Sequence, residues 1–341
     1  MTQKLRSFFR NKSILITGGT GSFGKSFIKF LLKYFQLKRI VIFSRDEQKQ
    51  FFMSKSPEFS NTKFKNLRYF LGDIRDYERL NFAMRDIDLV VHAAALKHVS
   101  IAEYNPMEFI STNINGSNNV IRACINNNVD RVISLSTDKA VNPINLYGAT
   151  KLAADKLFIS ANNIVGKANL SFSVVRYGNV FGSRGSVIEI YKKIRDQNKK
   201  NYPITDKRMT RFFITLEQAV TFVVKNFIRM KGGEIFVPKL PSIKIKDLVP
   251  AFDASAKIKE IGISPGEKIH EIMFTKDDHV VEFKDFYLLK PQIEILKKNH
   301  KYLENKLKER GKSLKLKFDY SSGSNEDFIT SENVKKNFLD F

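Results

Sequence analysis

Tyr147 and Lys151, in Tyr147-Gly148-Ala149-Thr150-Lys151, are spaced for proton chemistry. On a helix, residues i and i+4 share one face, so the lysine can lower the tyrosine pKa and also hydrogen-bond a ribose. The tyrosine then becomes an acid or base usable near neutral pH. Just upstream, Ser136-Thr137-Asp138-Lys139 sets a carboxylate beside a second amine. Near the start, Thr17-Gly18-Gly19-Thr20-Gly21-Ser22-Phe23-Gly24 places glycines at 18, 21 and 24. Glycines in such a loop let backbone N–H groups approach a pyrophosphate at the positive end of a helix, the chemistry of a dinucleotide site.

Three elements must position these groups: a strand before each motif, a turn at its carboxyl end, and a helix behind. The chain supplies them by alternating short apolar runs with amphipathic stretches up to about residue 180. The pattern predicts strands over Ser13 to Thr17, Arg39 to Ser44, Leu67 to Leu71, Leu89 to Ala93, Arg131 to Ser136 and Ser171 to Tyr177. Helices are expected at Ser22 to Phe35, Pro106 to Asn126 and Tyr147 to Asn162. Right-handed crossovers make this an α/β, Rossmann-like doubly wound parallel sheet with ligands at the carboxyl ends of its strands.

The second strand ends in Ser44-Arg45-Asp46-Glu47, where an NAD site would carry an acidic residue for the ribose 2′-hydroxyl. A hydroxyl and a guanidinium suit a 2′-phosphate instead, so NADP is the expected cofactor. The alternative is that Arg45 only caps the strand end while Asp46 N-caps the next helix. Gly72-Asp73-Ile74 is placed for the adenine, and the small residues Ala93, Ala94 and Ala95 let the backbone run close to the cofactor, with Lys97 at the rim. His92 and His98 have no Cys or carboxylate at ligand spacing, so they read as structural and no metal is expected.

The 341 residues, 43% of them hydrophobic, suffice for a large core and a smaller lobe. We expect a dinucleotide domain over 1–180 that regains a strand near 234–237, and a discontinuous substrate lobe within 181–290. A basic extension over 291–341 has no assigned role. Apolar runs stop far short of the roughly 20 residues of a membrane span, and a basic start followed by a short apolar run does not make a signal peptide. The single cysteine, Cys124, cannot form an intrachain disulfide, which points to a cytoplasmic setting. The net charge of +23 fits lysine enrichment or attraction of anionic small molecules, since the lysines are dispersed and no RNA-binding motif stands out.

Together the glycine loop, Ser136 to Lys139, Tyr147 to Lys151 and Arg176-Tyr177-Gly178-Asn179-Val180 resemble the extended short-chain dehydrogenase/reductases. Ser44 to Glu47, His92 to Val99, Asn142 to Leu146, Ser183 to Val187 and Pro265-Gly266-Glu267-Lys268 are similar, more closely, to the inverting UDP-N-acetylglucosamine 4,6-dehydratases of pseudaminic acid-type sugar biosynthesis. The likeness runs from about residue 10 to 290. It implies that Tyr147 takes the C4-hydroxyl proton as hydride leaves C4, that Lys139 removes the C5 proton, and that Asp138 protonates the departing C6 hydroxyl. Lys151 assists the tyrosine. It also implies that Thr20, Ser22, Phe23, Asp46, Lys49, Thr112, Asn113 and Val180 join the cofactor site. On the same grounds Lys97, Thr137, Tyr147, Asn179, Arg184, Ser186, Thr205, Met209, Arg211 and Glu267 contact the UDP-sugar. Ser264 departs from the pattern, because related sequences carry a basic residue there, and this removes a charge from the expected diphosphate clamp. A homo-oligomer, a hexamer by resemblance, is implied as well.

Retaining dehydratases pair Asp with Glu where this chain has Asp138-Lys139, and some capsule-type relatives lack the tyrosine. An epimerase or another NADP-dependent nucleotide-sugar dehydratase is the neighbouring alternative. An NADP-sensing or RNA-binding protein that kept the fold is the alternative outside enzymes.

Overall fold

The computed structural model describes all residues except 1, 61, 167–168, 184, 296–300 and 339–341. Its strands run β1 Ser13–Thr17, β2 Arg39–Ser44, β3 Leu67–Leu71, β4 Leu89–His92, β5 Arg131–Thr137, β6 Ser171–Tyr177, β7 Asn179–Val180, β8 Asn201–Ile204 and β9 Thr210–Ile214. After these come β10 Ile235–Pro238, β11 Ser242–Lys244, β12 Lys257–Glu260, β13 Ile272–Phe274, β14 Val280–Glu282, β15 Phe286–Leu289, β16 Lys312–Ser313 and β17 Tyr320–Ser321.

The main sheet has the order β16-β14-β15-β10-β6-β5-β4-β1-β2-β3. From β3 to β10 neighbouring strands pair in parallel, while β15, β14 and β16 add an antiparallel edge. All five residues of β1 and all seven of β6 are buried, as expected where helices cover both faces. The strand order reverses between β1 and β4, with β2 and β3 added on one side and β5 and β6 on the other, the switch point at which such sheets open a crevice.

The expected helix over 106–126 is broken into Pro106–Phe109, a π-helical turn Ile110–Asn115 and Gly116–Asn126. The widened turn has a local use. It brings Asn113 to the backbone of Leu96, whose N–H donates to Asn113 Oδ1 at 2.9 Å and whose carbonyl accepts from Nδ2 at 3.0 Å.

A second core gathers Phe181, Tyr191, Tyr202, Phe213, Leu248, Phe252 and Val334 around helices Val187–Asp196 and Ile245–Phe252. The smaller lobe therefore draws on 181–213 and 243–252. Residues 280–289, expected in that lobe, instead form two strands of the main sheet, because β15 pairs with the otherwise open edge of β10.

The C-terminal segment is integrated into both bodies. β16 extends the main sheet, β17 pairs with β13, and the helix Ser331–Phe338 supplies Val334 to the second core. Tyr320 packs the segment onto the main core, its ring lying 4.9 Å from Phe212 and 5.1 Å from Phe274 while its hydroxyl donates to Leu240 O at 3.2 Å. Among the described residues no helix is long and apolar enough to cross a membrane.

Replacing Tyr320 by Ala removes these ring contacts and is expected to cost about 3 kcal/mol of stability. Denaturant unfolding monitored by circular dichroism measures it.

Candidate active site

A cleft of about 700 Å³ opens along the carboxyl ends of the parallel strands, from the glycine loop to the smaller lobe. Gly18, Gly21, Ser22, Phe23 and Gly24 line one end, Ala93, Ala95, Lys97 and His98 the middle, and Thr137 to Lys139, Tyr147, Lys151, Asn179, Val180 and Ser186 the rest.

The glycine loop fits a dinucleotide because side chains are excluded from it. Gly18 has φ +68°, and a Cβ there would stand 2.9 Å from Ala94 Cα; at Gly24 it would stand 2.6 Å from Gly19 Cα. Strand end, loop and helix are thus in backbone contact, and Gly21 N-caps the helix Ser22–Tyr34. Thr17 Oγ1 holds the facing turn by accepting from the N–H groups of Ala93 at 3.1 Å and Ala94 at 3.2 Å. Thr20, Ala94 and the β2 end lie outside the cleft lining proper.

At the β2 end, Arg45 is half exposed and its Nη1 lies 3.5 Å from Asp73 Oδ2. Burial works against the Asp73 charge, but Arg75 bonds to its carboxylate and holds it below the usual range. Asp46 takes up its capping position, accepting from Lys49 N at 2.9 Å and from the Lys49 ammonium. Ser44 is buried and its hydroxyl accepts from Gln50 Nε2 at 3.0 Å, so Arg45 and Lys49 are half-exposed cationic groups at this corner. Ile74 packs under Gly116, where a Cβ would stand 2.7 Å from Ile74 Cδ1. Thr112 is buried, and Asn113 binds the Leu96 turn and Thr150.

The acid–base groups stand at the β5 end. Asn145 N-caps the helix Leu146–Ser160 by accepting from Gly148 N at 2.8 Å. A Cβ on Gly148 would stand 2.2 Å from Lys139 O, so glycine is what lets this helix lie against the Asp138-Lys139 turn. Lys139 Nζ donates to Asp138 Oδ1 at 3.1 Å and lies 3.0 Å from Glu271 Oε1. Thr137 Oγ1 donates to the same Asp138 oxygen at 2.9 Å. Asp138 and Glu271 are 1% and 2% exposed, whereas the Lys139 side chain keeps 24% of its surface toward the cleft.

Electrostatics follow from this arrangement. Burial disfavours a charged Lys139, yet Asp138 and Glu271 together outweigh it and push the amine above the ordinary lysine range. Burial pushes the Asp138 carboxyl up and the Glu271 charge adds to this, against Lys139 and Thr137. Glu271 itself is held low, because Lys139 and Arg211 overcome its burial. Tyr147 is pushed up to about 12, chiefly by burial, with Lys139 and hydrogen bonding with Thr137 opposing.

Lys139 thus acts on the tyrosine as a cation, beside the Lys151 to which the helical spacing points. Lys151 donates to Leu135 O at 2.8 Å, and burial lowers its pKa despite Asp155 one turn on. Asp155 is held in turn by Ser136 Oγ at 2.7 Å and Arg176 Nη2 at 3.1 Å. His92 is buried between Thr17 and Ser117 and pushed down to about 3 by burial and Lys151, so it is a neutral packing group. His98 lines the cleft against Gly185.

The expected substrate contacts divide. Lys97, Thr137, Tyr147, Asn179 and Ser186 are brought to the cleft, while Arg184 lies outside the described residues. Thr205, Met209, Arg211 and Glu267 are not in its lining. Arg211 faces inward: Nη1 donates to Thr210 O and Ile269 O, and Nε lies 3.7 Å from Glu271 Oε1. The Thr205 hydroxyl donates to Met209 Sδ at 2.8 Å, and Glu267 accepts from Ser264 N at 3.4 Å.

Glu271, which sequence reasoning missed, is the carboxylate that faces Lys139 from the far side. Its one signal in the chain is an acidic residue entering the apolar run Ile272-Met273-Phe274.

The family model described as polysaccharide biosynthesis protein matches residues 14–291. The chain is 55% identical over 328 residues, 96% of its length and 97% of the relative's, to the UDP-N-acetylglucosamine 4,6-dehydratase (inverting) of Campylobacter jejuni subsp. jejuni. It is 43% identical over 277 residues, 79% of this chain and 80% of the relative, to the UDP-glucose 4-epimerase of Rickettsia akari. Among solved structures it resembles Pen from Bacillus thuringiensis, with a TM-score of 0.84 and 38% identity across 96% of this chain and 98% of that one. DesIV, a dTDP-glucose 4,6-dehydratase from Streptomyces venezuelae solved with NAD and TYD bound, shares the fold at a TM-score of 0.66 and 19% identity, over 75% of this chain and 86% of that one.

Exchanging Gly148 for Ala forces the helix off the Lys139 carbonyl. Turnover is expected to fall about a hundredfold, as for a displacement of around 1 Å at a reacting centre. Steady-state kinetics beside a dinucleotide titration test this, since the distant glycine loop should keep its affinity.

Proposed function

This chain belongs to the polysaccharide biosynthesis protein family and to the extended short-chain dehydrogenase/reductases, and from that premise we infer that it is an inverting UDP-N-acetylglucosamine 4,6-dehydratase. The observation that carries the reading is the cluster of Asp138, Lys139 and Tyr147 on one wall of a cleft that begins at the glycine loop.

We take the cofactor to be NADP. The glycine loop would hold its pyrophosphate, Arg45 its 2′-phosphate beside Ser44, Asp73 and Ile74 its adenine, and Ala93, Ala95, Lys97, Lys151 and Val180 its nicotinamide half. When bound, it supplies a reversible hydride carrier, oxidising C4 of the sugar and later reducing C6.

Tyr147 receives the C4-hydroxyl proton, assisted by Lys151 and by the Lys139 charge while the proton it shares with Asp138 rests on the amine; that proton then shifts to Asp138. The resulting ketone acidifies the adjacent C5–H. The Asp138–Lys139 pair carries one proton at 3.1 Å separation. With that proton on Asp138, Lys139 is a neutral amine able to take H5, and Asp138 is the acid that gives its proton to the C6 hydroxyl. The C6–O bond breaks and water leaves. The pair again holds one proton, H5 having replaced the one that left with water, and the proton that Tyr147 received is the one available to C5; its delivery to the opposite face, directly or through water, balances the step and inverts the centre, a stereochemistry we carry over from the relatives. Asn179, Ser186, Thr137 and Lys97 would hold the nucleotide sugar in the cleft. We place the reaction at the head of a pseudaminic acid-type pathway in the cytoplasm, performed by a homo-oligomer.

The epimerase relative favours a second reading, interconversion at C4 alone. Incubating the protein with UDP-N-acetylglucosamine in heavy water and following the product by NMR separates the two. The expected product is a 6-deoxy-4-keto sugar, deuterated and inverted at C5. A 4-epimer that keeps its C6 hydroxyl would overturn the dehydratase reading.

Removing the Arg45 guanidinium with Arg45→Ala should weaken NADP binding about tenfold or more and leave NAD binding nearly unchanged, because only the former loses a charge-assisted contact. Calorimetric titration with both dinucleotides checks it.

A further inference from the structure

A dehydration needs an acid and a base at the same moment. Two adjacent side chains sharing one proton meet that need only while the proton stays on the pair. If it is lost to solvent, Lys139 is still a base but Asp138 can no longer expel a hydroxyl. The third group of the cluster bears directly on this.

We propose that Glu271 is a positioning residue for the dehydration, fixing the Lys139 amine at the cleft wall and keeping the shared proton on the Asp138–Lys139 pair. The inference rests on the acid–base reading given above.

The geometry is that of a carboxylate set behind a catalytic base. Glu271 Oε1 lies 3.0 Å from Lys139 Nζ, on a residue 2% exposed, whereas Asp138 meets the same nitrogen at 3.1 Å. The ammonium that forms as H5 is taken therefore forms against a fixed negative charge, as an imidazolium does against the buried aspartate of a catalytic triad. Glu271 is itself well held. Its N–H donates to Ser322 Oγ at 2.9 Å, its carbonyl accepts from Ser322 N at 2.8 Å, and Arg211 Nε stands 3.7 Å from its carboxylate.

This gives purpose to a C-terminal segment the sequence left unassigned and to an arginine it assigned to the substrate. The C-terminal segment clamps the Glu271 backbone through Ser322, and the inward-facing Arg211 keeps the carboxylate charged. Asp138 Oδ2 and Glu271 Oε2 are both buried with no hydrogen-bond partner among the described residues, so Lys139 is central to how the two carboxylates are satisfied.

Among the described residues, the charged and titratable groups facing the cluster include Asp138 and Lys139 on the β5 turn, Tyr147 and Asp155 on the following helix, Tyr177 at the end of β6, Arg211 on β9, and Lys268 and Glu271 on the segment entering β13. Of these, Glu271 supplies a second negative charge beside Lys139, from outside the Asp138-Lys139 turn. Its loss should let the pair shed its proton at lower pH.

The test is the pH dependence of kcat for the full-length, NADP-loaded protein with UDP-N-acetylglucosamine, comparing Glu271→Gln, Glu271→Asp and Lys139→Met with the unaltered chain. For Glu271→Gln the alkaline fall in kcat is expected to move down by about one pH unit or more, so that activity drops about tenfold in that range while KM stays within about twofold. Glu271→Asp, which keeps the charge but shortens its reach, should restore most of the alkaline range at reduced kcat.

A Glu271→Gln profile superimposable on that of the unaltered protein would overturn the proposal. If Glu271→Gln does not fold, Glu271→Asp decides: a profile and kcat both unchanged count against positioning. Lys139→Met separates the two levels, since turnover surviving that change sinks the acid–base reading itself. A dead Lys139→Met beside an unaffected Glu271→Gln sinks only the role of Glu271.

Discussion

One ammonium held between two buried carboxylates organises this protein. Placing Asp138 and Glu271 out of water would be prohibitive if each stood alone, and the Lys139 amine is what makes the burial tolerable. Removing a partner from such a buried set typically costs about 3–5 kcal/mol, because a charge is then left without compensation. The three groups come from two distant parts of the chain, the β5 turn and the segment entering β13, so the main sheet and the later strands must close on one another before the cluster exists. Chemistry and folding are thereby coupled at one point.

Close backbone approach is the means by which the fold brings these parts together. At Gly148 a helix lies on a carbonyl, at Gly18 and Gly24 a loop lies on its neighbours, and at Gly178 the end of β6 lies on Phe212, where a Cβ would stand 2.6 Å from Phe212 Cβ. Each glycine removes a side chain where two elements would otherwise be held apart. The cleft is consequently walled by backbone and small residues on the cofactor side and by charged groups on the reacting side. Pyrophosphate and proton transfer call for those two surfaces in turn.

The smaller lobe and the C-terminal segment complete the far wall. Strand β7 pairs with β9, so Asn179 and Val180 are fixed by the lobe as much as by the main sheet, and β9 carries Arg211 toward Glu271. Strand β17 lies along β13 one residue beyond Glu271. The tail thus belongs to the architecture of the site, although its own residues carry none of the proton chemistry.

Local signals made much of this legible in the chain. Glycine spacing after an apolar run, the alternation of strand and helix, and Tyr-x-x-x-Lys at a helix start are written in contiguous residues, and the boundaries of β1, β2, β3 and β6 follow from them. Other features depended on contacts between segments far apart. Glu271 stands 132 positions after Lys139 and has no motif of its own. Arg211 looked like a ligand for a diphosphate until the fold turned its guanidinium toward two carbonyls and a carboxylate. Likewise, spacing pairs Lys151 with Tyr147, whereas the influence of Lys139 on that tyrosine comes from the packing of the Asp138-Lys139 turn against the helix. The sequence by itself determined which groups could do chemistry and on which elements they sit. Only the tertiary structure decided which charges are buried together, because desolvation and Coulomb energy depend on distances through space that no local pattern encodes.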